Sequence, residues 1–124
     1  MNESTDSQRP AADTGAAATT TRDAALEHLA ITLALLGDAA SRATHTSHDV
    51  RLHIVACQAE HLAGEVRTHT EPATPQQPWP VDAGYATTTA AARRALDVPE
   101  VRHLPVPLRA SLQWLLLLAE AAQT

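Results

Sequence analysis

The chain has 124 residues, a length that suits a single domain. Hydrophobic residues make up 44% of it and charged residues 19%, a balance typical of a globular protein rather than a disordered one. The formal net charge is −5. Because nonspecific binding to nucleic acids or to membranes needs a cationic surface, this acidic balance argues against both kinds of partner.

The apolar residues are of an unusual kind. Many are alanine, phenylalanine is absent, and the aromatic residues are only Trp79, Tyr85 and Trp114. Alanine favours helix but buries little area, so the core has to be built from leucines and a small domain of this kind is only marginally stable alone. We therefore expect self-association. All nine cationic side chains are arginines, amid abundant Ala and Thr, which is a composition like that of actinobacterial proteins from GC-rich genomes.

Location can be predicted from the cysteine content and from the apolar runs. The one cysteine, Cys57, cannot form an internal disulfide. The first ten residues, MNESTDSQRP, are polar and lack the apolar segment of a signal peptide. The longest strongly apolar run, residues 114–119, is far shorter than the roughly 20 residues that cross a membrane. We expect a cytoplasmic protein that does not enter a membrane.

Residues 1–20 contain no Leu, Ile or Val. Such a segment cannot bury enough surface to offset its ordering entropy, so we predict a disordered tail followed by a helical domain at residues 21–124. The first helix is predicted to open near Thr20, with Asp23 as a capping partner. Its larger apolar residues recur at spacings of three and four, which predicts a buried stripe formed by Leu26, Leu29, Leu33 and Leu36.

The second predicted helix follows a polar loop at residues 44–48 and runs to about Thr68. Its main apolar stripe comprises Leu52, Val55, Ala59, Leu62 and Val66. At about 100° per residue, a second row falls opposite this stripe and comprises Val50, Ile54, Cys57, His61 and Gly64. A helix with two opposite apolar faces usually packs between two neighbours. We therefore predict a central position for this helix, and one of its neighbours can belong to another subunit.

The second half of the chain is predicted to add a crossover and two more helices. Four prolines within residues 71–82 exclude a helix there and predict an extended crossover connection. A third helix begins at Asp82 or Thr87 and ends at Leu96, and a turn or two at residues 99–104 follows. The last helix, residues 107–122, is apolar nearly all round, which indicates deep burial or an interface; its residues outside the main stripe are Trp114, Leu117 and Leu118.

A row of possible metal ligands lies on the second predicted helix. His53, Cys57 and His61 are spaced i, i+4, i+8 along one side, and an i, i+4 pair can supply two ligands of a metal site. All three cannot share one ion, because eight residues of helix separate the two histidines by about 12 Å. The sequence offers no second cluster with ligand spacing, so the other ligands stay unassigned.

Residues 89–104, TAAARRALDVPEVRHL, resemble a helix-turn-helix, the DNA-binding motif in which a second helix enters the major groove. The resemblance implies that Arg93, Arg94 and Arg102 contact nucleic acid. Pro105 limits the implied recognition helix to about six residues, which is too short to reach along the groove.

No catalytic motif stands out, since the sequence lacks a G-x-S-x-G, a phosphate-binding glycine loop and an H-E-x-x-H. We expect no cofactor, and we favour a non-enzyme. The predicted fold is an all-α bundle of about four main helices. The predicted function is that of a helical interaction protein, homodimeric or docking on another protein. Its interface candidates are Val50, Ile54, Cys57, Trp114, Leu117 and Leu118. A ligand- or metal-binding module and a small nucleic-acid regulator are the alternatives.

Overall fold

The computed structural model describes residues 2–70 and 84–122, with side chains described from Thr21 onward. Helices joined by short turns and loops make up these ranges, and no strand is present in them. The elements are α1 (Asn2–Ala43), α2 (Arg51–Arg67), α3 (Tyr85–Leu96), a short 3₁₀ helix (Pro99–His103) and α4 (Val106–Ala121). The prediction of an all-α fold with four main helices is confirmed.

The backbone of α1 begins at Asn2, earlier than the start that we predicted near Thr20. Residues 1–20 are rich in alanine, which has the highest helix propensity of any residue, and this favours an earlier start. The side chains of the predicted tail, residues 1–20, are outside the described ones. The prediction that this tail does not pack into the core therefore stays a prediction.

The core is built around α1. This helix packs against α2, α3 and the 3₁₀ helix, while α4 packs against α2 and α3. The predicted leucine stripe of α1 is buried completely or nearly so, and it comprises Leu26, Leu29, Leu33 and Leu36. As predicted, α2 has two neighbours, since it packs against both α1 and α4. The main stripe of α2 is buried as predicted, but the row opposite it faces solvent in this single chain.

A close approach of two helices occurs at Gly37 of α1, which is buried. A Cβ atom at this position would lie 3.2 Å from the backbone oxygen of Ala56 and 3.5 Å from the Cβ of Ala59. Because glycine has no side chain, α1 and α2 can pack with their backbones nearly touching at this point. The sequence pattern around Gly37 gives no signal of this helix contact.

Two hydrogen bonds show which helix ends lie next to each other in the bundle. The Thr70 hydroxyl donates to the Asp23 carboxylate at 2.9 Å, which joins the end of α2 to the beginning of the packed part of α1. The Tyr85 hydroxyl donates to the carbonyl oxygen of Ala119 at 2.8 Å, which joins the beginning of α3 to the end of α4. Burial raises the pKa of Tyr85, and the nearby charge of Asp49 adds to this, so the beginning of α2 lies at this same end of the bundle.

The described ends of the segment between α2 and α3 therefore lie at opposite ends of α2. A helix of 17 residues is about 25 Å long. The chain between Thr70 and Gly84 has to travel that distance, as a crossover connection requires. The predicted proline-rich crossover itself, residues 71–82, lies outside the described residues.

One described segment, Thr21–Ala43, is long and apolar enough to cross a membrane. Half of its most apolar part is buried inside the bundle, where its leucines form the centre of the core. The buried core helix of a soluble protein can have the same length and hydropathy as a membrane-spanning helix.

Candidate functional site

The strongest candidate for a functional site is an apolar surface formed by α2 and α4. On α2, the row opposite the buried stripe is exposed: Val50 keeps 70% of its surface accessible and Ile54 keeps 42%. Cys57 and His61 in the same row are exposed as well. Large aliphatic side chains that face water in adjacent helical turns are the feature that an interface would use.

The outward face of α4 carries the second half of this surface. Trp114 is 52% exposed and Leu117 is 62% exposed, although leucines one position away are fully buried. Leu118, which we also predicted at an interface, is partly buried and packs against the core, so it belongs mainly to the single chain. Val106, at the beginning of α4, is 66% exposed and was not singled out from the sequence.

These exposed residues lie at the same end of two adjacent helices. Val50 and Ile54 belong to the beginning of α2, and Trp114 and Leu117 belong to the second half of α4. The beginning of α2 and the end of α4 meet at Tyr85, and the two helices pack against each other. We call these four residues the α2/α4 surface. Their summed accessible area is on the order of 400 Å², which is similar in size to the large apolar patches of typical monomers.

Charge is absent from the outward face of α4. Its exposed positions are Val106, Pro107, Ala110, Ser111, Gln113, Trp114, Leu117 and Ala121. The charged residues of this helix, Arg109 and Glu120, are partly buried, and Glu120 is paired with Arg93 of α3 at 2.8 Å.

Asp49 and Arg51 form a neutral pair at the beginning of α2, next to Val50. The Arg51 guanidinium donates to both carboxylate oxygens of Asp49, with the shortest contact at 2.6 Å. These hydrogen bonds hold the pKa of Asp49 below its usual value. Asp49 also accepts a hydrogen bond from the backbone N–H of Arg51 at 3.0 Å, so it satisfies a free donor of the first helical turn. The charges beside Val50 therefore neutralise each other.

The predicted metal ligands His53, Cys57 and His61 are all exposed along α2. His61 Nε2 lies 3.6 Å from a carboxylate oxygen of Glu65, one turn further on. Among the described residues, no group of three or more His, Cys, Asp or Glu side chains comes together in a way that could hold a metal ion. The structure therefore adds no ligands to those that the sequence offered.

The arginines of the helix-turn-helix resemblance differ in their surroundings. Arg93 donates to the Glu120 carboxylate and to the Gln113 side chain, so its charge is already paired within the bundle. Arg94 and Arg102 are exposed. The implied recognition helix is the five-residue 3₁₀ helix at Pro99–His103. It is as short as we predicted from the position of Pro105. The Val101 side chain of this 3₁₀ helix is buried in the core.

In comparisons with known proteins, no family model, curated protein or solved structure matches this chain.

Proposed function

We propose that this protein is a non-catalytic helical interaction protein that forms a homodimer through the α2/α4 surface. The observation that supports this proposal is the exposure of four large apolar side chains at one end of two adjacent helices. A scattered exposed leucine needs no explanation, but a tryptophan and three aliphatic residues grouped in this way are costly to leave in water.

The area fits a modest interface. A stable protein–protein interface buries about 800 Å² on each partner, and somewhat more than half of that area is apolar. The four residues of the α2/α4 surface supply about 400 Å² of apolar area. Neighbouring polar residues such as Gln58, Ser111 and the exposed His61 are available for the remainder.

Charge favours a second copy of this chain as the partner. Each copy carries a net charge of −5, so two copies repel each other wherever their charged faces meet. The outward face of α4 has no charge, and Asp49 and Arg51 neutralise each other beside Val50. Two copies related by a two-fold axis would therefore bring the uncharged face of α4 against itself.

A cytoplasmic location is part of this proposal. Cys57 is an exposed free thiol in the same row as Ile54. Exposed free thiols persist in a reducing compartment, whereas an oxidising one favours their cross-linking.

The test is the mass in solution of the full chain and of three aspartate variants. Ile54→Asp and Leu117→Asp place a charge in the α2/α4 surface, while Ala90→Asp places the same charge at an exposed position of α3 and serves as the control. Light scattering should give about twice the 13.2 kDa chain mass for the wild type and for the control, and the chain mass for the other two. Far-UV circular dichroism should show unchanged helix content in all four.

Other outcomes are equally decisive. A wild type that stays monomeric at high micromolar concentration would remove self-association and leave only a foreign partner for this surface. Dimers that survive both substitutions would place the interface elsewhere. Loss of helix in Leu117→Asp without a change in mass would assign Leu117 to the core of the single chain.

A further inference from the structure

Two side chains that can ligate a metal ion lie next to each other in the exposed row of α2. Cys57 and His61 are spaced i, i+4, so they are neighbours on one face of the helix. Cys57 is an exposed free thiol, and the His61 side chain keeps 65% of its surface accessible. Both belong to the row opposite the buried stripe, so this pair faces away from the core of the single chain.

One chain supplies only half of a metal site at this position. Zinc in structural protein sites takes four ligands in a tetrahedron, and two cysteines with two histidines are one of its common ligand sets. Within the described part of one chain, no group of three or more His, Cys, Asp or Glu side chains comes together. A site built on Cys57 and His61 is therefore incomplete without a second copy of the chain.

A two-fold axis between two α2 helices would complete the ligand set. In a two-fold dimer the same surface patch of both copies meets, so residues near the axis lie close to their own symmetry mates. An axis that passes between the helices at the height of Ala59, halfway from Cys57 to His61, brings two such pairs together with the helices antiparallel.

The resulting arrangement of the four side chains is tetrahedral. A step of four residues advances about 6 Å along a helix and turns about 40° around it, so each Cys–His pair runs diagonally across its face. On two antiparallel helices that face each other, the two diagonals cross. Four groups on crossed diagonals of opposite faces occupy alternate corners of a box, which are the corners of a tetrahedron.

Two neighbours of the pair fit this arrangement. Gly64 lies in the same row, and a Cβ atom added there would meet nothing within 4 Å. Because a cysteine side chain is short, the two helix backbones have to approach closely, and a glycine on the contact face allows this. Glu65 Oε1 lies 3.6 Å from His61 Nε2. A metal-bound histidine commonly donates its other ring N–H to a carboxylate, so this contact leaves Nδ1 to bind the ion.

We propose that one zinc ion binds between two copies of this chain, with Cys57 and His61 of each copy as its four ligands. This inference rests on the homodimer proposed above, and it places the two-fold axis beside the middle of α2. Each thiol loses its proton to solvent when its sulfur binds the ion. Zn²⁺ with two thiolates and two neutral imidazoles has no net charge, so two acidic chains gain a link without added charge between them.

The test uses the full chain, kept reduced and stripped of metal, with zinc chloride as the probe. Isothermal titration calorimetry should show sub-micromolar binding that saturates at one ion for every two chains. Cobalt(II) chloride, added in place of zinc, should give the intense visible bands of a tetrahedral ion and a thiolate-to-cobalt charge-transfer band. The stoichiometry is decisive, because a site within one chain would saturate at one ion per chain.

Four variants at exposed positions of α2 locate the ligands, and far-UV circular dichroism checks that each one folds. Cys57→Ser and His61→Gln should each weaken zinc binding by more than about 100-fold and remove the tetrahedral cobalt spectrum, since outer partners of a metal site alone account for about 10–100-fold. Glu65→Gln, which changes such an outer partner, should weaken binding about tenfold. His53→Gln is the matched control, because His53 lies one turn on the other side of Cys57, and it should leave binding unchanged.

The mass by light scattering separates this inference from the proposed dimer. A dimer that takes up no zinc, or one ion per chain, overturns the zinc site and leaves the dimer in place. A chain that is monomeric with and without zinc overturns both. A monomer that becomes a dimer with one zinc ion supports the zinc site. Loss of binding in His53→Gln but not in His61→Gln would overturn the ligand assignment, and an octahedral cobalt spectrum would overturn the thiolate–imidazole site.

Discussion

The close approach of α1 and α2 at Gly37 can be tested by the same substitution at two glycines. Gly37→Ala and Gly64→Ala both replace a glycine inside a helix, and helix propensity alone stabilises each variant by about 1 kcal/mol. The tertiary surroundings differ. A Cβ at Gly64 meets nothing within 4 Å, whereas a Cβ at Gly37 lies 3.2 Å from the backbone oxygen of Ala56.

The magnitudes follow from these distances. At Gly64 the full gain of about 1 kcal/mol should appear in the free energy of unfolding, because no contact opposes it. At Gly37 the opposing atoms are the backbone of Ala56 and the Cβ of Ala59, which no side-chain rotation can move. The helices must separate by a few tenths of an ångström, and overpacking of a core costs about 1–3 kcal/mol. We expect Gly37→Ala to be less stable than the wild type.

The assay is thermal unfolding followed by circular dichroism, at one protein concentration so that any dimerisation contributes equally. A difference of 1 kcal/mol corresponds to about 4 °C in Tm for a domain of this size. Gly64→Ala should unfold at a higher temperature than the wild type, and Gly37→Ala at a lower one. Gly37→Leu should lose still more, because its side chain has no space. An equal rise of Tm in both alanine variants would show that α1 and α2 do not depend on close packing at Gly37.

Further predictions concern the bundle end, an ion pair and the N-terminal segment. Tyr85→Phe should lower the free energy of unfolding by about 1 kcal/mol in chemical denaturation, because the carbonyl of Ala119 at the end of α4 loses its donor. Glu120→Gln should destabilise by less than about 1 kcal/mol near pH 7, since the pair with Arg93 is partly exposed. That pair lowers the pKa of Glu120 below its usual 4.5, so its contribution is present above this pH and is lost as the pH falls through the lowered pKa; a difference that persists in acid would refute this origin. Deletion of residues 1–20 should change the free energy of unfolding by no more than about 0.5 kcal/mol, and a larger loss would show that they pack on the domain.

Periodicity was sufficient to predict the core of this protein. The leucines of α1 and the main stripe of α2 recur at spacings of three and four, and the structure buries all of them. Proline positions were equally informative, since Pro99 and Pro105 predicted the short turn that the structure places at Pro99–His103. These features depend on the local sequence alone, so no knowledge of the neighbouring helices was needed.

The contacts between helices could not be predicted in the same way. The acceptor of Tyr85 and the partner of Arg93 both lie on α4, more than twenty residues away, and the sequence does not specify which helices are adjacent. For the same reason Leu118 was grouped with Leu117, although one packs against the core and the other faces solvent.

The composition of the core makes the exposure of Trp114 more informative than it would be in a typical domain. The core is formed by leucines, valines and many alanines, and the largest apolar side chain described on α4 lies outside it. A folding chain that needed more buried area would gain by enclosing that tryptophan, since aromatic residues bury about 150–250 Å² each. At Gly37 the helices α1 and α2 pack so closely that even a Cβ atom would meet the backbone of Ala56, so this contact has no room for a large side chain. Trp114 remains on the surface of the single chain, and in the proposed dimer a second copy would bury it.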